Sequence, residues 1–393
     1  MTPAARSQAA IELLDQIIDA ARGGGAAADN LIARYFKDRR FAGAKDRREI
    51  RALVFHAIRR AGERPVSGRA ALLGVARDMP ELLDTMDGSP HAPSPPVVDE
   101  PVAEAGIAPA WLLQRFDPAI DSEELAALLG RATLDLRVNR LEGSRDDALA
   151  ELPDAVPTRW SPIGLRLPEG FRVEQAHAWR HGLVEIQDEG SQLICLGCEV
   201  APDALVVDLC AGAGGKTLAL AAEMADRGRI VACDADRNRL SRIAPRLQRA
   251  KISIVETRLI NPNREAAMLA DLAGKADLVL VDAPCSGTGT WRRNPETRWR
   301  ITPERLARLT ALQARLLDVA AELVRPGGRL VYAVCSLLAE EGRDQADALS
   351  RRSSLVSEPL PMPTGIPSGP GLLLSPGRDG TDGFFVARWL RPC

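Results

Sequence analysis

From Leu183 to Cys393 the sequence predicts a doubly wound, mainly parallel α/β sheet, preceded by an all-helical domain and a small α/β module. Three observations carry this reading. Buried-type strands alternate with amphipathic helices over 183–393, helical periodicity runs through 6–75, and a proline-rich stretch without lysine or arginine separates the two regions.

In the C-terminal region the strand candidates are Leu205–Leu209, Arg229–Cys233, Lys251–Glu256, Leu278–Asp282, Gly328–Val334 and Gly383–Leu390. Helices are expected at Thr217–Ala225, Arg237–Arg249 and Pro303–Leu323. Such a sheet binds ligands beyond the carboxyl ends of its strands. In the N-terminal region Ala9, Leu13, Ile17 and Ala20 share one helical face, as do Ile50, Leu53, Val54, Ala57 and Ile58. Residues 101–182 mix a helix over Ser122 to Arg131 with strand-like runs at Leu134–Val138 and Gly164–Leu167. The boundaries expected are a helical domain over 1–84, a linker over 85–100, the small module over 101–182 and the sheet domain over 183–393.

A chain of 393 residues can bury a large core without disulfides or metals. Its 51 Lys+Arg nearly balance 53 Asp+Glu, and aromatics make up 4%, so composition as a whole gives no footprint for nucleic acid. The charge is nevertheless segregated. Ten basic residues and three acidic ones lie between Arg34 and Arg60, with Lys45, Arg47 and Arg48 at the centre, whereas no Lys or Arg occurs from Asp78 to Gln114. Seven cysteines at irregular spacing argue for reduced thiols rather than a disulfide framework. With no apolar signal core at the N-terminus and no run of about 18 apolar residues, the expectation is a cytoplasmic protein, acting as a monomer.

The first strand of the sheet runs into Cys210-Ala211-Gly212-Ala213-Gly214-Gly215-Lys216-Thr217. Glycines there allow close approach of a ligand to the turn and to the helix N-terminus. A Walker A loop is excluded because its first glycine position is Cys210, and the G-x-G-x-x-G fingerprint fails for want of a third correctly spaced glycine. What remains is an acid ending strand one, Asp208, and an acid ending strand two, Asp234, placed to accept both hydroxyls of a ribose. This pattern suits S-adenosylmethionine.

Strand four ends Asp282-Ala283-Pro284-Cys285-Ser286-Gly287-Thr288-Gly289 and strand five ends Val334-Cys335-Ser336, so both thiols arrive at the carboxyl edge of the sheet. Methylation of carbon 5 of cytosine needs such thiols. A thiolate adding to carbon 6 makes carbon 5 nucleophilic, and a second group assists release. Lys216 or the helix dipoles would favour the thiolate, and Asp282 is placed to hold the cytosine amino group. Which cysteine attacks is not decided by spacing.

These strings, with Val184-Glu185-Ile186-Gln187-Asp188-Glu189-Gly190-Ser191-Gln192, Arg137-Val138-Asn139 and Thr381-Asp382-Gly383-Phe384-Phe385, resemble the Sun/RsmB-type RNA 5-methylcytosine methyltransferases. The resemblance covers 101–393 and implies a class I, Rossmann-like methyltransferase domain. It further implies that Cys335 is the nucleophile and Cys285 the release cysteine, and that Asp208, Cys210, Ala211, Gly212, Ala213, Gly214, Gly215, Lys216, Asp234 and Asp282 surround the cofactor. The substrate it implies is structured RNA, 16S ribosomal RNA in particular. The alternatives are a transfer RNA substrate or a non-catalytic ribosome assembly factor on the same fold. Residues 1–80 are similar to NusB-type RNA-binding domains. Three departures stand out: Ala211-Gly212-Ala213 where the family often has Ala-Ala-Pro, Val334 in place of Thr, and Thr257-Arg258 where an acid often follows strand three.

Two further features compete for a role. Arg292, Arg293, Arg298 and Arg300, interleaved with Trp291 and Trp299 directly after the Cys285 loop, suit phosphate contact. Cys195 and Cys198 with His177 and His181 have the residue types of a zinc site, but one CxxC inside an expected helix is weak, and no metal is expected.

Overall fold

Thr2 starts the first helix: its hydroxyl accepts from the Ala5 amide, Pro3 occupies the first turn, and Gly24, at φ 70°, ends it. The computed structural model describes Met1–Cys393. Four helices, α1 (Pro3–Gly23), α2 (Ala28–Asp38), α3 (Ala44–Arg60) and α4 (Gly68–Ala76), form the body of a first unit. Ala9, Leu13, Ile17, Ile50, Val54, Ala57 and Ile58 meet in its core, while Leu53 is only partly covered. A side chain at Gly68 would strike the Ile11 carbonyl, so glycine there permits α4 to close on α1.

The chain divides into two units, Met1–Phe116 with Leu125–Gly130 and Thr290–Pro303, and Asp117–Glu124 with Arg131–Gly289 and Glu304–Cys393. The expected linker therefore lies inside the first unit. Arg69, on α4, donates to the Pro95 carbonyl at 3.2 Å and to Glu100 Oε2 at 3.0 Å, and Met86 is buried in the helical core. Its proline-rich composition is that of a linker; these contacts bind it to the helices.

Residues 290–303 also belong to this unit, for a reason the sequence reading missed. α2 has no side-chain N-cap of its own, and Glu296 supplies one by accepting from Ala28 N at 3.0 Å. Arg298, fully buried, donates to the carbonyls of Ile58, Arg59, Ala61 and Ile107, the first three at the C-terminal end of α3. Arg300 donates to Gly25 O and Ala26 O at 2.9 and 2.7 Å. An anion thus sits at a helix N-terminus and a cation at a C-terminus, as the backbone partial charges require. Arg298 is corrected from a phosphate contact to a cap of α3, and Arg300 from a phosphate contact to a donor holding the connection between α1 and α2. Arg292 is buried as well, Arg293 is half-buried, and both tryptophans are buried.

The second unit holds two sheets. β1 (Leu134–Val138), β2 (Val156–Pro157), β3 (Gly164–Leu167) and β4 (Val184–Ile186) form an antiparallel sheet in the order β2-β3-β1-β4. The large sheet contains β5 (Leu205–Asp208), β6 (Arg229–Asp234), β7 (Val255–Leu259), β8 (Ala276–Asp282), β9 (Val324–Val334), β10 (Val356–Glu358), β11 (Ile366–Ser368), β12 (Gly371–Leu374) and β13 (Phe384–Leu390). Its order is β11-β12-β13-β9-β8-β5-β6-β7, with β10 beside β13. The pairs among β5 to β9 are parallel, and β13 joins β9 antiparallel. Val206, Val207, Ile230, Val231, Leu280, Val281, Val331 and Val334 are all fully buried, as strands covered on both faces demand.

Two elements differ from expectation. Strand three lies at Val255–Leu259 rather than Lys251–Glu256, because Asp226 accepts from Ser253 N and Oγ and from Ile254 N and holds that stretch in a turn. The helix expected over Arg237–Arg249 is two, Arg237–Leu240 and Ile243–Ala250; Pro245 cannot donate back to Ser241.

Replacing Arg298 by Ala takes a donor from the Ile58, Arg59 and Ile107 carbonyls, while Ala61 O keeps Trp299 Nε1 at 3.0 Å. The helical unit should lose about 3 kcal/mol, measured as a lower urea midpoint. An unchanged midpoint would contradict the capping role.

Candidate active site

β5, β6, β8 and β9 bring Asp208, Asp234, Asp282 and Cys335 to one edge of the large sheet. The loop after β5 is shaped by Gly212 and Gly214, at φ 57° and 84°, which only glycine adopts freely. It is held down by Ala211 N donating to Cys233 O and Gly212 N donating to Asp234 Oδ2, each at 2.8 Å. Arg246 donates to Ala213 O, and Gln187 Nε2 to Gly215 O, so the helix Ile243–Ala250 and the segment after β4 brace the same loop. Asp234 also accepts from Asp236 N at 2.7 Å.

Beside this loop lies a cavity of about 170 Å³ whose walls include Cys210, Asp234, Arg239, Ile260, Glu265 and Leu312. Apolar walls with two carboxylates suit an adenosine: a flat ring needs the first, and ribose hydroxyls and an exocyclic amine need the second. Thr257 and Arg258, taken in the sequence as following strand three, lie within β7. Glu265, 6% exposed at the start of a short helix, brings a carboxylate to the cavity instead, paired with Arg315 at 3.3 Å. No spacing rule pointed to Glu265 or Arg239.

Asp208 is fully buried. Its Oδ2 accepts from Thr217 Oγ1 at 2.6 Å, while Oδ1 has no partner. Burial pushes its pKa up to about 7, the Thr217 hydrogen bond opposes this, and Asp282 adds to it. Lys216 bonds Asp282 at 2.6 Å. Burial pulls the Lys216 ammonium down, but Asp282, Cys195 and Cys335 more than offset that and hold it above its ordinary value. Its charge is therefore felt at Cys335.

The two sulfurs, Cys285 Sγ and Cys335 Sγ, are 3.4 Å apart and both half-buried. The Cys335 contact and burial keep the Cys285 thiol well above its usual range, with the Glu341 charge adding to the effect. The turns are stitched together: Gly289 N donates to Cys335 O at 3.1 Å and Leu337 N to Thr288 Oγ1 at 2.9 Å. The structure thus gathers Asp208, the 210–216 loop, Asp234, Asp282, Cys285 and Cys335 at one edge.

The remaining cysteines and histidines lie elsewhere. Cys195 and Cys198 are buried in and just after the helix Glu189–Gly197, with Cys198 Sγ donating to Ile194 O, whereas His177 and His181 stack on each other and His177 pairs with Glu151. No group of three or more His, Cys, Asp or Glu side chains is arranged to hold a metal. Lys45 and Arg48 are exposed on α3, and Arg47 donates to Ala42 O at 2.8 Å. No helix is long and apolar enough to cross a membrane.

Residues 197–390 match the family described as 16S rRNA methyltransferase RsmB/F. The ribosomal RNA small subunit methyltransferase B of Salmonella typhi is 36% identical over 296 residues, covering 72% of this chain. The chain spans 66% of that relative's length. A methyltransferase homolog from Pyrococcus horikoshii is 26% identical with a TM-score of 0.63, over 72% of this chain and 94% of that one. The crystal structure of PH0851 shares the fold over 99% of both chains, at 24% identity and a TM-score of 0.77.

An aspartate whose pKa rises on folding stabilises the fold while it is protonated. Asp208 contributes fully below about pH 4, and the contribution is lost as pH climbs through 7, at up to about 1.4 kcal/mol per pH unit. Asp208→Asn should remove this slope, read as urea unfolding at pH 5 and pH 8. An identical pH dependence in the variant contradicts the assignment.

Proposed function

The chain belongs to the RsmB/F methyltransferase family through residues 197–390, and from that premise we propose that it methylates carbon 5 of a cytosine in small-subunit ribosomal RNA. The observation that carries this reading is the pair of thiols 3.4 Å apart beside the Lys216–Asp282 pair. A non-catalytic assembly factor has no use for two facing thiols at a strand edge.

S-adenosylmethionine supplies a methyl group made electrophilic by its sulfonium. Asp234 is placed to accept from the ribose, Ile260 and Leu312 to cover the adenine, and Glu265 to accept from its amino group. The Cys335 sulfur gives up its proton and forms a bond to carbon 6 of the cytosine, and the electron pair of the C5–C6 double bond makes carbon 5 the nucleophile. Asp282 holds the base through its amino group. Once carbon 5 carries the methyl, Cys285 assists removal of its proton; the pair left behind restores the double bond and expels Cys335 as thiolate. Lys45, Arg47 and Arg48 on α3 supply phosphate contacts, which position the RNA without reading its sequence.

Cys335→Ala should abolish transfer of labelled methyl, whereas Cys285→Ala should accumulate a protein–RNA adduct stable on a denaturing gel. Full activity of Cys335→Ala would falsify the nucleophile assignment. Glu265→Leu should weaken S-adenosylmethionine binding about tenfold by calorimetry; an unchanged affinity would remove Glu265 from the adenine site.

A further inference from the structure

Six residues past Cys335, in a turn that the mechanism above does not use, Glu341 is fully buried. Its carboxylate gathers donors from three separate segments. Ser286, directly after Cys285, donates through its amide at 2.8 Å and through its hydroxyl. Ser336, directly after Cys335, donates through its hydroxyl at 2.6 Å. Gln313, on the helix Pro303–Leu323, donates at 3.0 Å and also bonds Pro284 O at 2.9 Å, on the other side of Cys285. The backbone carbonyl of Glu341 is itself fixed by the Tyr332 hydroxyl at 2.6 Å.

We propose that Glu341 is a positioning residue for methyl transfer: one buried carboxylate clamps the turn after Cys285 to the turn after Cys335 and so sets the separation and alignment of the two thiols. The inference rests on the two-thiol reading of the site. All four hydrogen-bond donors are neutral groups, and a buried carboxylate held by neutral donors is costly unless every bond is made. A hydrophobic or amide side chain of similar size would fill the same space. What only the carboxylate does is accept through both oxygens at once: Oε2 takes the hydroxyls of the two serines next to the sulfurs, and Oε1 takes the Ser286 amide and Gln313 Nε2, which the NH2 of an amide could not do. A small misplacement of reacting groups lowers the chemical step without touching substrate affinity.

The experiment compares Glu341→Gln with the full-length wild-type protein on small-subunit RNA. Glutamine keeps the size but presents an NH2 to groups that are themselves donors. The expected result is a fall in kcat of about 100-fold, with KM for RNA and the dissociation constant for S-adenosylmethionine changed less than about threefold. Glu341→Asp, which keeps the charge on a shorter arm, should recover part of the loss. A folded Glu341→Gln with kcat near that of the wild type overturns the inference, as does a variant in which KM and kcat deteriorate together. Should Glu341→Gln not fold, Ser336→Ala keeps the carboxylate and removes one donor; a fall in kcat of about fivefold at unchanged KM supports the clamp, and an unchanged kcat overturns it. An inactive wild-type protein would instead count against the proposed function, so the two failures are distinguishable.

Discussion

Two sulfurs from different strands lie 3.4 Å apart, and the chemistry proposed here depends on that approach. Neither sequence position nor strand pairing alone produces it. β8 and β9 are parallel neighbours with Asp282 opposite Ala333, so their ends are in register. The two turns beyond them must then be folded toward each other. Ala283 N donating to Ala333 O and Gly289 N donating to Cys335 O start and finish that fold, and the buried side chains of Thr288, Ser336 and Glu341 fill it. The thiols therefore meet on a rigid frame.

The electrostatics of the edge follow from the same crowding. Asp208, Asp234 and Asp282 end adjacent parallel strands; at Asp208, burial disfavours the charge, and Asp282 and Asp234 raise its proton affinity further. Lys216 is the compensating cation. It bonds Asp282 directly and lies near Cys335, whereas Cys285 faces Glu341 and Cys335, which keep its thiol above the usual range. Two chemically identical side chains are made different by what each faces.

Much of the sheet was legible because parallel strands covered on both faces write themselves as apolar runs, and Leu278–Asp282 could be little else. The cysteines and the glycine loop were legible because their neighbours are short and local. What was hidden depends on partners far along the chain. Arg298 reads as a phosphate ligand until Ile58, Arg59 and Ala61 are found to need donors 237 to 240 positions away. Glu265 could not be seen as a cavity carboxylate while strand three was placed four residues early, and the misplacement came from Asp226 holding Ser253 and Ile254 in a turn. Glu341 follows a second glutamate in an unremarkable polar stretch; only burial separates it from Glu340, which is partly exposed. The extra strands β10, β11 and β12 are too short for periodicity to register.

The central claim is that one sulfur of the facing pair bonds to the base and the other does not. RNA carrying 5-fluorocytidine tests it in the wild-type protein, because fluorine at carbon 5 cannot leave as a proton and the adduct stays closed. Peptide mapping of the trapped complex by mass spectrometry should place the nucleotide on the peptide containing Cys335. A nucleotide found on the Cys285 peptide, or no trapped complex from a protein that methylates ordinary RNA, would contradict the account.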